Sequence, residues 1–95
     1  MKQEEKLAAY FKALSAPARL RIFNLLKGRM LCVNALAEAL KLTPAAISQH
    51  LRVMREAGLI QSEKRGYFVH YRLDPKALNE MGALVQKLIQ IEKKK

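Results

Sequence analysis

The segment TPAAISQHLRVMREAGLI, Thr43 to Ile60, sets hydrogen-bonding and cationic groups at helical spacing. At 3.6 residues per turn, Ile47, Leu51 and Met54 share one apolar stripe suited to a core. Ala45, Gln49 and Arg52 then project from the opposite side, with Ser48 on the flank. Small residues near the start of a helix let its backbone approach a groove closely, and Ser, Gln and Arg can read base edges or grip phosphates. The helix N-terminus itself favours a phosphate. An ordinary solvated face would use the same residue types, so this helix alone does not choose between the two.

Other reactive side chains are sparse. Cys32 is the single thiol, which rules out an internal disulfide framework. Flanked by Leu31 and Val33, with only Arg29 nearby to activate it, it reads as a small core residue. His50 lies off the centre of the apolar stripe, which favours a partly buried hydrogen-bonding role over base reading. His70 shares a strand face with Phe68 and Arg72, where packing or a phosphate contact is favoured over a metal. No acid–base pair, nucleophile constellation or glycine-rich phosphate loop occurs, so the chain does not read as an enzyme and calls for no cofactor.

Positioning these groups requires a set of short elements. Leu7, Phe11 and Leu14 recur at helical spacing, which predicts a first helix over about residues 2–13. Ser15 is placed to cap a second helix, about 16–27, with Pro17 in its first turn; Leu20, Phe23, Leu26 and Ile22 are its core candidates. An apolar link, Met30 to Val33, leads to Asn34, placed to cap a brief third helix ending near Leu40. Thr43-Pro44 is a cap followed by an N1 proline, and opens a fourth helix that runs to Ala57 and stops at Gly58. Two short helices joined by about three residues match a helix-turn-helix. Leu59–Lys64 and Tyr67–Leu73 then alternate as strands, which predicts a β-hairpin with a cationic tip at Arg65-Gly66. Asp74-Pro75 opens the last helix, about 75–92. The expected class is α+β, mainly α, with five helices and a two-stranded hairpin, in one domain over residues 1–95.

Charge points to the partner. Eighteen Lys and Arg stand against eight Asp and Glu, a net +10; removing the terminal Lys93, Lys94 and Lys95 from that total still leaves +7. A body this basic suits a polyanion, nucleic acid first and an anionic membrane second. No apolar run approaches the ~20 residues that span a bilayer. The N-terminus has no signal-peptide core, so a cytoplasmic protein is expected. The helix-turn-helix, the basic wing and the excess positive charge together favour nucleic acid over a bland surface.

At this point the sequence resembles the ArsR (arsenic-repressor) type of winged-helix transcription regulator. The resemblance rests on ALSAPARLRIFNLL (13–26), LCVNALAEAL (31–40), ISQHLRVMREAGLI (47–60) and RGYFVHYRL (65–73). It implies a cytoplasmic homodimer that binds a near-palindromic double-stranded DNA operator and usually represses. Carried over, the recognition helix starts near Thr43 and reads with Ala45, Ala46, Ser48 and Gln49. Arg52 would grip a phosphate, Lys64 and Arg65 would belong to the wing, and Arg19 and Arg55 are further positioning candidates. The resemblance also implies a dimer formed by the terminal helices. The pattern supports this separately, because Leu7, Phe11 and Leu14 in the first helix present a stripe like that of Leu78, Met81, Val85, Leu88 and Glu92 in the last. Leu84 and Ile91 widen the second stripe beyond what so small a body needs. Burying both against a two-fold mate gives an isologous interface.

Many members of that family sense metals through paired thiols before the third helix. Here the segment is Cys32-Val33-Asn34, and one thiolate per chain does not satisfy a soft metal. A second family site needs histidine on the last helix, which has none over residues 75–92. The metal-binding residues of the family are thus expected to be missing. Control by protein level, a protein partner or an unrecognised small molecule stays open as the inducing signal. Two rival functions remain, a winged-helix protein-interaction module and a nonspecific architectural DNA binder.

Overall fold

The computed structural model describes residues 2–90. In chain order its elements are α1 (Gln3–Leu14), α2 (Pro17–Leu25), β1 (Leu31–Cys32), α3 (Val33–Leu40), α4 (Pro44–Glu56), β2 (Ile60–Arg65), β3 (Phe68–Leu73) and α5 (Pro75–Ile89). The predicted continuation of the last helix through Ile91 and Glu92 lies outside the described residues.

Each of the chain's three prolines is the first residue of a helix, where its missing N–H leaves no intrahelical bond unmade. Two of these starts carry side-chain caps. Thr43 Oγ1 accepts from the Ala46 N–H at 3.1 Å, and Asp74 Oδ1 accepts from the Lys76 N–H at 2.9 Å. The cap expected at Ser15 is absent. Ser15 Oγ donates back to the Lys12 carbonyl at 2.8 Å, and Ala16 precedes α2 with no side-chain cap. Asn34 likewise lies within α3, which begins one residue before it.

Packing on α1 and α2 follows the apolar spacing except at one residue of each, Phe11 and Leu20. Ile22 and Leu26 are fully buried, whereas Leu20 is 49% exposed. Leu20 stands ~160° around the helix from Ile22, so one core cannot take both. On α1 the buried residues are Leu7, Tyr10 and Ala13, and Phe11 is turned outward. Tyr10 can be buried because its hydroxyl has a partner, Glu80 Oε1 of α5 at 2.5 Å. Lys6 Nζ meets the other oxygen of the same carboxylate at 2.5 Å. The central core joins Ile22, Leu26, Leu36, Ile47, Leu51, Met54 and Leu59, all essentially inaccessible. No polar or charged residue is buried among the described residues.

Hydrogen bonds from Lys6 and Tyr10 hold the Glu80 carboxyl below its ordinary pKa, and the bond to Glu80 together with burial pushes the Tyr10 hydroxyl up to about 12. The two shifts act at opposite ends of the pH scale. Glu80 stabilises the fold above the unfolded carboxylate pKa, and that contribution is lost as pH falls through its depressed folded value. Tyr10 stabilises below the unfolded phenol value of 10.0, and its contribution is lost as pH rises toward about 12. Tyr10→Phe is therefore expected to remove the alkaline loss, measured as the midpoint of thermal unfolding between pH 9 and 12. An unchanged alkaline slope in the variant would contradict the assignment.

The sheet has three antiparallel strands in the order β1-β3-β2, one more than the hairpin expected from sequence. The link Leu31-Cys32 pairs with Tyr71 and His70 of β3. The hairpin tip also moves by one residue. Arg65 pairs with Phe68, which leaves Gly66-Tyr67 as the two-residue turn rather than Arg65-Gly66. Gly66 has φ 63° and Tyr67 has no positive φ, the signature of a type II′ turn. The resulting architecture is a mainly helical winged helix-turn-helix, α3 and α4 forming the helix pair and β2–β3 the wing.

Candidate nucleic-acid interface

The connection between α3 and α4 fixes how the fourth helix is presented. Lys41 ends α3 at φ 56°, a left-handed conformation that costs a non-glycine residue about 1 kcal/mol. The turn it makes lets the Leu42 N–H close on the Ala37 carbonyl at 3.1 Å, after which Thr43 starts α4. Ile47, Leu51 and Met54 anchor the inner side of α4 at 0–1% exposure. Its outer side leaves Thr43, Ala45, Ser48, Gln49 and Arg52 exposed, with Ala46 half-buried behind them. Four of the five outer residues, Thr43 to Gln49, sit in the first two turns, beside the positive end of the helix dipole.

Arg52 Nε donates to Glu56 Oε1 at 3.0 Å, one turn along, and both side chains are largely in solvent. Such a surface pair contributes only ~0.3–0.5 kcal/mol, so Arg52 exchanges partners readily. The groove between α4 and the sheet, about 420 Å³, is lined by Ser48, Leu51, Arg52, Arg55, Glu56 and Tyr71. It brings the candidate reading helix and the wing onto one continuous surface.

Lys64 and Arg65 are both exposed on β2. Arg65 Nε donates to Glu63 Oε2 at 2.7 Å, which holds the Glu63 carboxyl below its ordinary pKa and offsets part of the positive charge of the wing. The tip itself is aromatic. Tyr67 is 99% exposed and Phe68 beside it is also in solvent. Tyr67, expected to open the second strand behind a cationic tip, instead forms the turn with Gly66, the residue that fixes where the turn falls.

Three cationic or titratable candidates are half-buried. Arg19 is half-buried, its Nε donating to the Ala13 carbonyl at 2.6 Å and its Nη1 lying 3.1 Å from His50 Nδ1. It ties the end of α1 to α4 and is not a free phosphate contact. His50 thus takes the hydrogen-bonding role its position predicted. His70 is half-buried on the sheet, its Nδ1 without a hydrogen-bond partner among the described residues.

The residues expected at a dimer interface separate into two groups in the single chain. Leu7 is already buried, in the crevice between α1 and α5 that Leu84 and Leu88 also line. Leu14, Leu78, Met81 and Val85 are half-buried, while Phe11 and Leu88 face solvent. Of possible metal ligands, Cys32 is a half-buried free thiol, and the one carboxylate on α5, Glu80, is committed to Lys6 and Tyr10.

The family model described as bacterial regulatory protein, arsR family, matches residues 16–62, from the start of α2 through the helix-turn-helix into β2. The chain is 34% identical over 70 residues to the transcriptional repressor SdpR of Bacillus subtilis, covering 74% of this chain and 78% of that protein. This chain belongs to the ArsR family. A second relative, a transcriptional repressor SmtB homolog of Synechocystis, is 38% identical over 71 residues, 75% of this chain but only 54% of its own length. Among solved structures, the homodimeric winged helix-turn-helix DNA-binding domain of a possible ArsR-family transcriptional regulator from Mycobacterium bovis superposes with a TM-score of 0.75. That domain is 28% identical, and the match covers 88% of this chain and 78% of that one. With membership of the ArsR family comes the class of activity, DNA-binding regulation of transcription, on a winged helix-turn-helix like those of its relatives.

Proposed function

We propose that this ArsR-family chain is a cytoplasmic homodimeric repressor that binds a near-palindromic operator. The observation that carries the reading is the outer side of α4. Ser48, Gln49 and Arg52 stand in solvent on a helix locked from behind by Ile47, Leu51 and Met54, and a groove continues from them to the wing. In this arrangement Ser48 and Gln49 meet base edges in the major groove, with Ala45 and Ala46 allowing close approach and Thr43 at the helix start. Arg52 and Arg55 hold the phosphate strand that crosses the groove toward Tyr71, and Lys64 and Arg65 hold the strand at the wing. Two copies place their α4 helices ~34 Å apart, one turn of duplex.

The test is selection of bound fragments from a random duplex pool, followed by titration of the selected site against unrelated DNA. Gln49→Ala is expected to cost about 1–3 kcal/mol on the selected site and to relax preference at one base step. Equal loss on unrelated DNA would remove Gln49 from base reading, and parent affinity for every sequence would make the chain an architectural binder. Lys64→Ala is expected to weaken all sequences alike and to flatten the salt dependence by about one unit. An unaltered salt slope would take the wing out of the contact set.

The proposed repressor works without the thiol or histidine metal sites of its family. One half-buried thiol per chain and a carboxylate already bonded to Lys6 and Tyr10 are a poor donor set for a thiophilic ion. Zinc or arsenite titration of the protein is expected to leave operator affinity unchanged, and a stoichiometric nanomolar site would overturn this.

A further inference from the structure

A second cavity, of about 430 Å³, opens between the end of α2, residues 28–30, the base of β3 and the start of α5. Its floor is apolar, formed by Leu26, Met30, Leu73 and Leu78, and its rim carries Lys27, Arg29 and Arg72 with no acidic residue among the lining. Its volume falls in the range of small-ligand pockets, ~300–1,000 Å³, and its mouth is open to solvent.

None of the three cations forms an ion pair among the described residues. Arg72 is half-buried, and among the described residues it has no carboxylate at ion-pair distance. Lys27 Nζ rests 5.8 Å above the Phe23 ring, a contact with a π face and not with an anion. Arg29 uses its Nε on the Leu25 carbonyl at 2.7 Å, which occupies one of its five N–H donors. Asp74, the acid next along the chain, is turned to the Lys76 N–H and to Gln61. Glu63 feels the charge of Arg72 but is itself bonded to Arg65, so Arg72 is only partly compensated, and an anion entering the cavity adds charge-assisted hydrogen bonds. The apolar floor selects further, because a bare phosphate or a phosphodiester would leave Leu26, Met30 and Leu78 uncovered. Arg72 also lies four positions along β3 from Phe68, about 13 Å from the wing tip, so the cavity is set back from the proposed DNA contacts.

We propose that this cavity binds a small amphipathic carboxylate and that its occupancy regulates the protein through α5, whose Pro75 and Leu78 form part of the wall. The binding half stands apart from the repressor reading; the regulatory half rests on it, by linkage between the ligand and operator sites. The test uses the full chain. An NMR titration without DNA compares octanoate with octanamide and with inorganic phosphate. Octanoate is expected to shift Gly28, Arg29, Leu73 and Leu78 saturably, with Kd below about 1 mM. Octanamide should bind about tenfold more weakly, as should octanoate to Arg72→Gln. Met30→Trp, which fills the floor, should abolish binding while leaving the rest of the spectrum intact. No saturable shift, equal affinity for octanamide, or parent affinity in both variants would overturn the site. Fluorescence anisotropy on the selected operator then reads the regulatory half. Saturating octanoate should change affinity in the parent and not in Met30→Trp; unchanged affinity in a parent that binds its operator normally would overturn regulation.

Discussion

Replacing Leu88 with glutamate is expected to leave a folded monomer that binds the operator about 10²–10⁴-fold more weakly than the parent. Leu88 is 62% exposed in the single chain, and Ile89 and Phe11 near the same pair of terminal helices are also in solvent. On an exposed helical position the substitution changes monomer stability by no more than about 0.5 kcal/mol. At a two-fold interface it would bury two unpaired carboxylates, at a cost of several kcal/mol each. The loss on DNA follows because a monomer engages one half-site and forfeits the effective concentration supplied by its mate. Light scattering should show half the parent mass, and affinity for an isolated half-site should be unaltered. A variant that stays dimeric at micromolar concentration, or binds the full operator like the parent, would remove the terminal helices from the interface.

Leu51→Ala and Arg52→Ala should part company although the residues are neighbours. Leu51 is 1% exposed, in a core that also holds Ile22, Leu26, Leu36 and Leu59. Truncation there forfeits both the transfer free energy of the lost methyls and the contacts around the resulting void, about 2–5 kcal/mol. A domain of this size has ~5–15 kcal/mol in total, so the thermal midpoint should fall by well over ten degrees. Arg52 has only its exposed bond to Glu56 to lose, so Arg52→Ala should unfold within a few degrees of the parent. Its effect should appear instead on DNA, as a weaker affinity for every sequence and a flatter salt dependence. Equal thermal midpoints for the two variants would mean that α4 does not present the faces described, and parent-like DNA binding by Arg52→Ala would remove its phosphate contact.

Some of this molecule was legible residue by residue because the forces involved reach only a turn or two along the chain. Thr43 and Asp74 ahead of a proline, Gly58 at φ 82° after α4, and the stripe of Ile47, Leu51 and Met54 are local signals, and each element begins or ends where they place it. The solvent-facing side of α4 followed by subtraction, since a helix that buries one stripe must expose the other. The pairing of α3 with α4 through a short turn came from the same kind of information, whereas the family came from the resemblance of four longer motifs to known regulators.

Tertiary packing decided the rest. Leu31-Cys32 is a strand only because Tyr71 and His70 offer it an edge, and two residues carry no periodicity of their own. Tyr10 rather than Phe11 is buried on α1 because Glu80, on the last helix, gives its hydroxyl a partner. Arg19, a positioning candidate by sequence, is spent on Ala13 and His50, and Arg72, on an ordinary strand, comes to line a cavity built from four segments. Sequence spacing reports which side chains share a face. Which face meets another element, and which charge finds a partner there, depends on residues distant in the chain, and only the folded arrangement brings them within reach.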